Sequence, residues 1–225
     1  RSSNSCPNIA NWMAGDVVEV GCDGFLCPPG TWAPFGSATG TDTCTSCPDD
    51  NTIWGRTDCA SSTPTDVKER EILLSMYNVM GGRDWKTDTN WLSLNTSICE
   101  WYGITCTNGL ISSINLRNNG LSGSAPQELF SLSALRTLNL ELNPIEFVFT
   151  GISAATNLQV LDLAKTNLPK ASLSEMQELA ALTKLTVFNI DSNVLSGTVP
   201  TVIFSLTNLQ ELNLGHNGFA GTLST

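Results

Sequence analysis

The 225-residue sequence contains few of the residues on which many enzymes and nucleic-acid-binding proteins depend. It has one histidine, and its 11 basic residues stand against 21 acidic ones, which gives a net charge of −10. Such an acidic chain lacks the basic surface expected for binding nucleic acid or anionic membranes. No apolar run approaches the ~20 residues that cross a bilayer. Hydrophobic residues still make up 41% of the chain, enough for the core of one large domain or two small ones.

The side chains needed for catalysis are sparse as well. His216 is the only histidine that could serve a Ser-His-Asp arrangement, and no G-x-S-x-G or phosphate-binding glycine motif occurs. Four acidic residues fall on or beside predicted strands: Glu141, Asp162, Asp191 and Glu211. They could pair for acid/base chemistry or bind Ca²⁺, but Arg117 stands one repeat from Glu141 and can neutralise it. We favour a solvated mixed-charge face, with no enzymatic activity, no cofactor and no metal.

Cysteine is concentrated in the first quarter of the chain, with none after residue 106. The eight are Cys6, Cys22, Cys27, Cys44, Cys47, Cys59, Cys99 and Cys106. An even number in a Gly/Pro/Ser-rich stretch indicates disulfides formed in an oxidising compartment reached by secretion. The Cys44-x-x-Cys47 spacing would also suit zinc, but a closed zinc site needs two further ligands.

From residue 110 onward the pattern L-x-x-L-x-L-x-x-N-x-L occurs five times. Its asparagine column falls at Asn119, Asn143, Asn193 and Asn217, with Thr166 in the third copy. Periods of 23 to 27 residues are those of a leucine-rich repeat. Each L-x-L core predicts a short strand with its leucines inward, and the strands stack in parallel. A buried amide can satisfy backbone groups at the bend after each strand, so Thr166 predicts a local weakness.

The polar residue inside each L-x-L core points away from the core, onto the sheet face expected to be concave. The face also includes flanking charged residues, and its twelve members are Asn115, Arg117, Arg136, Asn139, Glu141, Asp162, Lys165, Asn189, Asp191, Glu211, Asn213 and His216. They can form an extended ligand-binding surface. Alternatively, short polar side chains merely suit a curved sheet and bond to one another. If the ligand-binding interpretation holds, replacing Asp162 and Asn189 by alanine leaves stability nearly unchanged.

The segment after the asparagine adds a second motif, L-S-G-x-x-P, at 121–126 and 195–200. It resembles that of plant-type extracellular leucine-rich repeats, in which it forms a second short strand. Repeats two and three depart from it. Repeat three predicts a helix instead, with a capping box at Ser172 and Glu175 and apolar residues at helical spacing: Leu173, Met176, Leu179, Ala180 and Leu182.

Residues 63–109 resemble the N-terminal cap of secreted plant-type repeat proteins. A helix capped by Asp66 and Glu69 is predicted to end at Gly81–Gly82, with an apolar face of Ile72, Leu73, Met76, Tyr77 and Met80. The elements G-G-x-x-W, N-W and C-x-W-x-G-x-x-C follow. The resemblance implies a Cys99–Cys106 disulfide, and we expect the three tryptophans to fill the core.

Residues 1–62 contain Cys27-Pro28-Pro29-Gly30 and Cys44-x-x-Cys47-Pro48, similar to the small cysteine-rich modules of ephrin and TNF receptors. Six cysteines allow 15 pairings. Among them we favour Cys6–Cys22, Cys27–Cys44 and Cys47–Cys59.

The sequence therefore predicts three parts: a cysteine-rich disulfide module (1–62), a helical cap (63–109) and five leucine-rich repeats (110–225), the last incomplete. The fold class is an α/β solenoid, a right-handed superhelix with a parallel concave sheet. The open last repeat is expected to be covered by further repeats or by another subunit.

We interpret the chain as an extracellular or cell-surface recognition module that binds a protein, peptide or glycan on the concave face. The alternative is a structural component of a cell wall, matrix or assembly, with the repeats as scaffold. Asn95, in the only N-x-S/T sequon, is a candidate glycosylation site.

All eight cysteines are predicted to be oxidised in four bridges, because the even count and the secreted character leave no need for a free thiol. Peptide mapping without reductant tests this. More than one alkylatable thiol, or bound zinc, would contradict it.

Overall fold

The computed structural model describes residues 64–93, 96–168 and 172–221, together with four two-residue strands nearer the start. The chain divides into two compact units, 1–62 and 63–225. In the first unit, β1 (Phe25–Leu26) pairs antiparallel with β3 (Ser37–Ala38), and β2 (Thr31–Trp32) with β4 (Thr45–Ser46). The six cysteines of this unit lie outside the described residues, and so does Asn95.

The second unit begins with helix α1, Pro64–Val79. Proline suits the first helical turn because its missing N–H would have no partner there. The predicted apolar face is confirmed, since all five of its residues are buried. The predicted start at Asp66 is wrong, because the helix begins two residues earlier. Glu69 accepts a hydrogen bond from the backbone N–H of Ile111 at 2.9 Å, so this carboxylate joins the helix to the first repeat.

An aromatic cluster lies between α1 and the first strands of the second unit. Trp85, Trp91 and Trp101 are all buried, and the ring of Trp91 lies 4.7 Å from that of Trp85 and 5.1 Å from that of Trp101. The indole N–H groups of Trp85 and Trp91 donate to backbone carbonyls. The predicted disulfide is confirmed: Cys99 and Cys106 are bonded, with Cα atoms 5.4 Å apart. The three tryptophans therefore fill the core, as expected.

Ten further strands follow in chain order. They are β5 (Ile104–Thr107), β6 (Leu110–Asn115), β7 (Gly123–Ser124), β8 (Thr137–Asn139), β9 (Ile145–Glu146), β10 (Val160–Asp162), β11 (Val187–Asn189), β12 (Ser196–Gly197), β13 (Glu211–Asn213) and β14 (Gly218–Phe219). Six of them form one sheet in the order β13-β11-β10-β8-β6-β5. Its pairs are parallel except β5 with β6, which is an antiparallel hairpin.

The parallel strands are in register, so equivalent residues of successive repeats lie side by side. Leu138 pairs with Leu161, and Leu161 with Phe188, and all three are fully buried. Parallel strands need a long crossover, which 3-10 turns supply here in place of long helices. The short strands expected from the L-S-G-x-x-P motif are present as the parallel pairs β7–β9 and β12–β14.

A ladder of asparagine amides joins neighbouring repeats, except in repeat three, which has Thr166 in place of the asparagine. The Nδ2 group of Asn143 donates to the carbonyls of Leu140, in its own repeat, and Leu116, in the preceding one. Its Oδ1 atom accepts the backbone N–H groups of Asn119 and Leu121, each at 3.0 Å. Asn193 makes the equivalent bonds two repeats further on. One side chain thus satisfies four backbone groups that the bend leaves without partners.

Thr166 fills the same position with one hydroxyl. It donates to the carbonyl of Leu163 at 2.7 Å, but it makes no bond to the preceding repeat within the described residues. The side chain of an asparagine at this position would accept the N–H of Ile145. That N–H donates instead to the carbonyl of Asn143. Thr166 therefore satisfies fewer backbone groups than an asparagine would, as the sequence predicts.

Replacing Asn143 by alanine should cost several kcal/mol, because each buried backbone group left unsatisfied costs about 1–3 kcal/mol. The matched change Thr166→Val removes one donated bond from a similar volume and should cost about 1 kcal/mol. Urea unfolding of the disulfide-bonded chain measures both. Equal costs for the two variants would contradict the ladder.

The crossovers of repeats two and three are tied together by carboxylates. The helix predicted in repeat three is confirmed: α2 (Ser172–Glu175) is one α-helical turn that continues as a 3-10 helix to Ala181. Ala180, predicted on its apolar face, is exposed, and the side chain of Ser172 lies outside the described residues. Glu175 accepts the N–H of Phe149. Glu178 accepts from the backbone of Gly151 and from the hydroxyl of Ser153, both at 2.8 Å.

Repeat two, which lacks the glycine and proline of the motif, packs phenylalanines instead. The rings of Phe130, Phe147, Phe149 and Phe188 form a chain of edge-to-face contacts with centroids 5.2 to 6.4 Å apart. Such contacts add to the stabilisation gained from burying each ring.

Hydrogen bonding by the Ser153 hydroxyl, and then by the backbone of Gly151 and Ser153, lowers the pKa of Glu178 from its ordinary 4.5. Its contribution to stability is therefore present above that value and lost as the pH falls through the lower folded-state pKa. We expect Glu178→Gln to lower the midpoint of urea unfolding at pH 7 but to leave it unchanged at about pH 2. The control is Glu128→Gln, which removes the charge of an exposed carboxylate. A cost for Glu178→Gln that does not change with pH would refute this role.

Candidate functional site

The parallel sheet presents a polar surface on the side away from the core, which we call the sheet face. None of the twelve residues that the sequence assigns to this face is buried. Seven of them are exposed: Asn115, Arg117, Arg136, Lys165, Glu211, Asn213 and His216. The other five are half-buried: Asn139, Glu141, Asp162, Asn189 and Asp191. They follow successive strands in register, so the structure brings neighbouring members together.

The central column of the sheet face has a structural task. In every repeat the side-chain Oδ1 atom accepts the backbone N–H two residues later, at 3.0 to 3.3 Å. The acceptors are Asn115, Asn139, Asp162, Asn189 and Asn213. This bond closes an Asx turn where the chain leaves the strand. Within the described residues these side chains bond to their own turns and not to one another, so the alternative in which they bond to one another is wrong.

The asparagine amides of this column use their oxygen atoms in these turns but not their NH₂ groups. The Nδ2 groups of Asn115, Asn139, Asn189 and Asn213 make no hydrogen bond within the described part of the chain. One carboxylate oxygen of Asp162 is likewise unused there. The column therefore offers four donors with one acceptor among them, spaced by the strand separation of about 4.8 Å.

Arg117 and Glu141 neutralise each other across the first two repeats. The guanidinium Nε lies 2.7 Å from one carboxylate oxygen and an Nη lies 3.2 Å from the other, so the pair is bidentate. Glu141 keeps 16% of its side-chain surface exposed. The neutralisation expected from the sequence is confirmed.

A second cluster forms around Asp191. It accepts from the hydroxyl of Ser192 at 2.7 Å, and its other oxygen lies 2.8 Å from Nδ1 of His216. The Ser192 hydroxyl and then His216 lower the pKa of Asp191. His216 keeps 82% of its side chain exposed. It therefore lies on the surface beside an anion.

A second column of the sheet face lies two residues before the central column, and four of its five members were missed from sequence. It comprises Ser113, Thr137, Val160, Val187 and Glu211, of which Glu211 alone was predicted. Thr137, Val160 and Val187 are half-buried and small. Their position two residues before each polar member of the L-x-L core was the signal that could have identified them.

Within the part of the chain that the structure describes, no group of three or more His, Cys, Asp or Glu side chains could hold a metal ion. No helix there is long and apolar enough to cross a membrane.

No protein-family model matches the sequence. The chain is 30% identical over 154 residues to the serine/threonine-protein kinase BRI1-like 1 of Arabidopsis thaliana, an alignment that covers 67% of this chain and 12% of that protein. The structure resembles the BIR2 ectodomain of Arabidopsis thaliana with a TM-score of 0.60, at 22% identity over 68% of this chain and 82% of the other. It also resembles a chain of the BIR3–SERK2 complex from the same plant, with a TM-score of 0.58, at 25% identity over 67% and 82%.

These likenesses and the repeating sheet indicate the same fold. Residues 63–225 have the leucine-rich-repeat fold, and the resemblance to plant-type repeat proteins extends to receptor kinases and their ectodomains. The chain spans about an eighth of the kinase that it matches.

The Asx turns correct the expectation that Asp162 and Asn189 can be removed without cost. Asp162→Ala should cost about 1 kcal/mol, because the N–H of Ala164 loses its acceptor. Asp162→Asn keeps that oxygen and should unfold like the wild type. Chemical denaturation distinguishes the two variants, and equal stability of both would show that the turn bond contributes nothing.

Proposed function

We propose that the chain is an extracellular recognition module that binds a protein, peptide or glycan through the sheet face, as part of a secreted or cell-surface protein. The observation that carries this proposal is the row of in-register asparagine amides whose donors the fold does not use. Exposed polar groups held at fixed spacing on a packed sheet can bind a ligand with little loss of their own conformational freedom.

The comparisons support an extracellular setting. The resemblance at 25% identity is to a chain of a complex between two proteins, BIR3 and SERK2, and the BIR2 match is an ectodomain. The Cys99–Cys106 disulfide is consistent with an oxidising compartment. On this basis we also propose that the whole protein acts as a receptor, that it binds a partner protein, and that Asn95 is glycosylated.

Arg136 and Glu211 allow a test that leaves the fold intact. Neither side chain makes a hydrogen bond or ion pair within the described residues, so their removal should not alter stability. The matched control removes Lys68 and Glu128, two exposed charges outside the sheet face.

The immobilised chain is incubated with extracellular fluid of the source organism, and bound species are identified and quantified by mass spectrometry. We expect the wild type and the Lys68→Ala/Glu128→Ala control to retain the same species. The Arg136→Ala/Glu211→Ala variant should retain about tenfold less, because uncompensated interface charges contribute to association. Equal retention by all three would contradict sheet-face recognition and favour the structural alternative, in which the repeats are a scaffold.

A further inference from the structure

The sequence contains three Asn-Gly dipeptides, which begin at Asn108, Asn119 and Asn217. Asparagine is a chemically labile residue. It is most labile before glycine, because no side chain there keeps the next backbone nitrogen away from the carbonyl carbon of the amide. The three dipeptides are identical, so a difference in their reactivity within the folded chain comes from the structure around them.

Two of the three side chains are held by the backbone of other segments. Asn119 is buried, and its amide both accepts from the N–H of Thr87 at 2.8 Å and donates to the carbonyl of Thr87 at 2.9 Å. The Nδ2 group of Asn217 donates to three carbonyls, and its Oδ1 atom accepts the N–H of Leu195. The N–H of Gly218 is bonded to the carbonyl of Leu195. Neither amide can turn towards its own backbone until these bonds break.

Asn108 lies in the exposed turn between β5 and β6. It and Gly109 have φ of 54° and 81°, the positive values that a two-residue type I′ turn requires. The Asn108 side chain and the Gly109 N–H make no hydrogen bond within the described residues. No atom of a non-adjacent residue lies within 4 Å of the place where a Cβ on Gly109 would stand. The two reacting groups therefore lack the bonds that hold Asn119 and Asn217.

We propose that Asn108 is a site of spontaneous modification in the folded protein. The backbone nitrogen of Gly109 attacks the side-chain carbonyl carbon of Asn108, a C–N bond forms to close a succinimide, and the bond to the side-chain nitrogen breaks to release ammonia. The attacking nitrogen loses its proton to solvent, and the departing nitrogen takes one from solvent. Water then opens the succinimide at either carbonyl, which leaves aspartate or isoaspartate and adds one negative charge.

The two products differ in their effect on the hairpin. Aspartate has the same backbone as asparagine and, like it, tolerates the left-handed conformation of the turn. Isoaspartate routes the main chain through the side-chain carbon, so the loop gains one backbone atom between Thr107 and Leu110, which pair in register. Strand β5 carries Cys106 of the disulfide, and β6 is bonded through Ile111 to Glu69 of α1. Isoaspartate therefore loosens the junction between the cap and the first repeat.

Peptide mapping of the full disulfide-bonded chain tests the site after ageing at mildly alkaline pH, which favours loss of the backbone proton. Digestion at acid pH prevents new modification during handling, and mass spectrometry follows each Asn-Gly dipeptide. We expect Asn108 to convert at least about tenfold faster than Asn119 or Asn217, because these two react only after local opening. In a reduced sample unfolded in urea, the three should convert at similar rates, because only the fold distinguishes them.

Urea unfolding of the separated products tests the effect on the hairpin. The Asn108→Asp variant is the aspartate product and should unfold like the unmodified chain, whereas the isoaspartate form should unfold at a lower urea concentration. Asn108→Gly removes the site and keeps a Gly-Gly pair that suits the turn. Ageing should therefore leave the unfolding midpoint of that variant unchanged.

Conversion of Asn119 or Asn217 in the folded chain as fast as that of Asn108 would overturn the proposal. So would three rates that keep the same ratio after unfolding, since the fold would then have no part in the selection. An isoaspartate form as stable as Asn108→Asp, or an equal loss of stability when Asn108→Gly is aged, would refute the effect on the hairpin.

Discussion

The buried amide of Asn143 and its equivalents is the interaction on which the repeat stack depends. A parallel strand that bends away from the sheet leaves carbonyls and N–H groups inside the protein, where water cannot reach them. One planar amide with two donors and two acceptor positions satisfies groups of its own repeat and of the preceding one. Neighbouring repeats are thereby held at a fixed spacing, and the residues in each polar column of the sheet face have the same spacing.

That rigidity explains how the face proposed to bind a ligand also contributes to stability. The central polar column commits one oxygen per repeat to an Asx turn, and its remaining polar side-chain atoms make no hydrogen bond within the described residues. Removing a whole side chain therefore changes the fold and the surface together. Charges such as Arg136 and Glu211, which the fold does not use, are the residues whose replacement reports on recognition alone.

Much of the fold could be predicted because it follows from periodicity. A repeat of leucines at fixed spacing determines which residues are buried, and the asparagine column marks where the strand ends. The cap helix was predicted for the same reason, since Ile72 and Met76 follow helical spacing. Its start was not, because Glu69 looks like a capping residue in sequence but bonds to Ile111, 42 positions away.

The sheet face was predicted as a set of residues but not as an arrangement. Alternation along each strand places Asn139 and Asp162 on the surface, whereas the N–H groups that donate to their Oδ1 atoms depend on the turn that follows. The helical start of the crossover of repeat three could be predicted from the local sequence. The bonds of Glu175 and Glu178 to the backbone of repeat two could not, because they are long-range contacts that no local pattern contains.

Native-state hydrogen exchange at single-residue resolution tests the amide ladder most directly. The backbone N–H groups of Leu121 and Leu168 donate to the side chains of Asn143 and Asn193, whereas that of Val194 makes no hydrogen bond within the described residues. The account predicts that the Leu121 and Leu168 amides exchange only through global unfolding, while the Val194 amide exchanges quickly. Exchange of the two leucine amides as fast as that of Val194 would show that the ladder does not hold the repeats together.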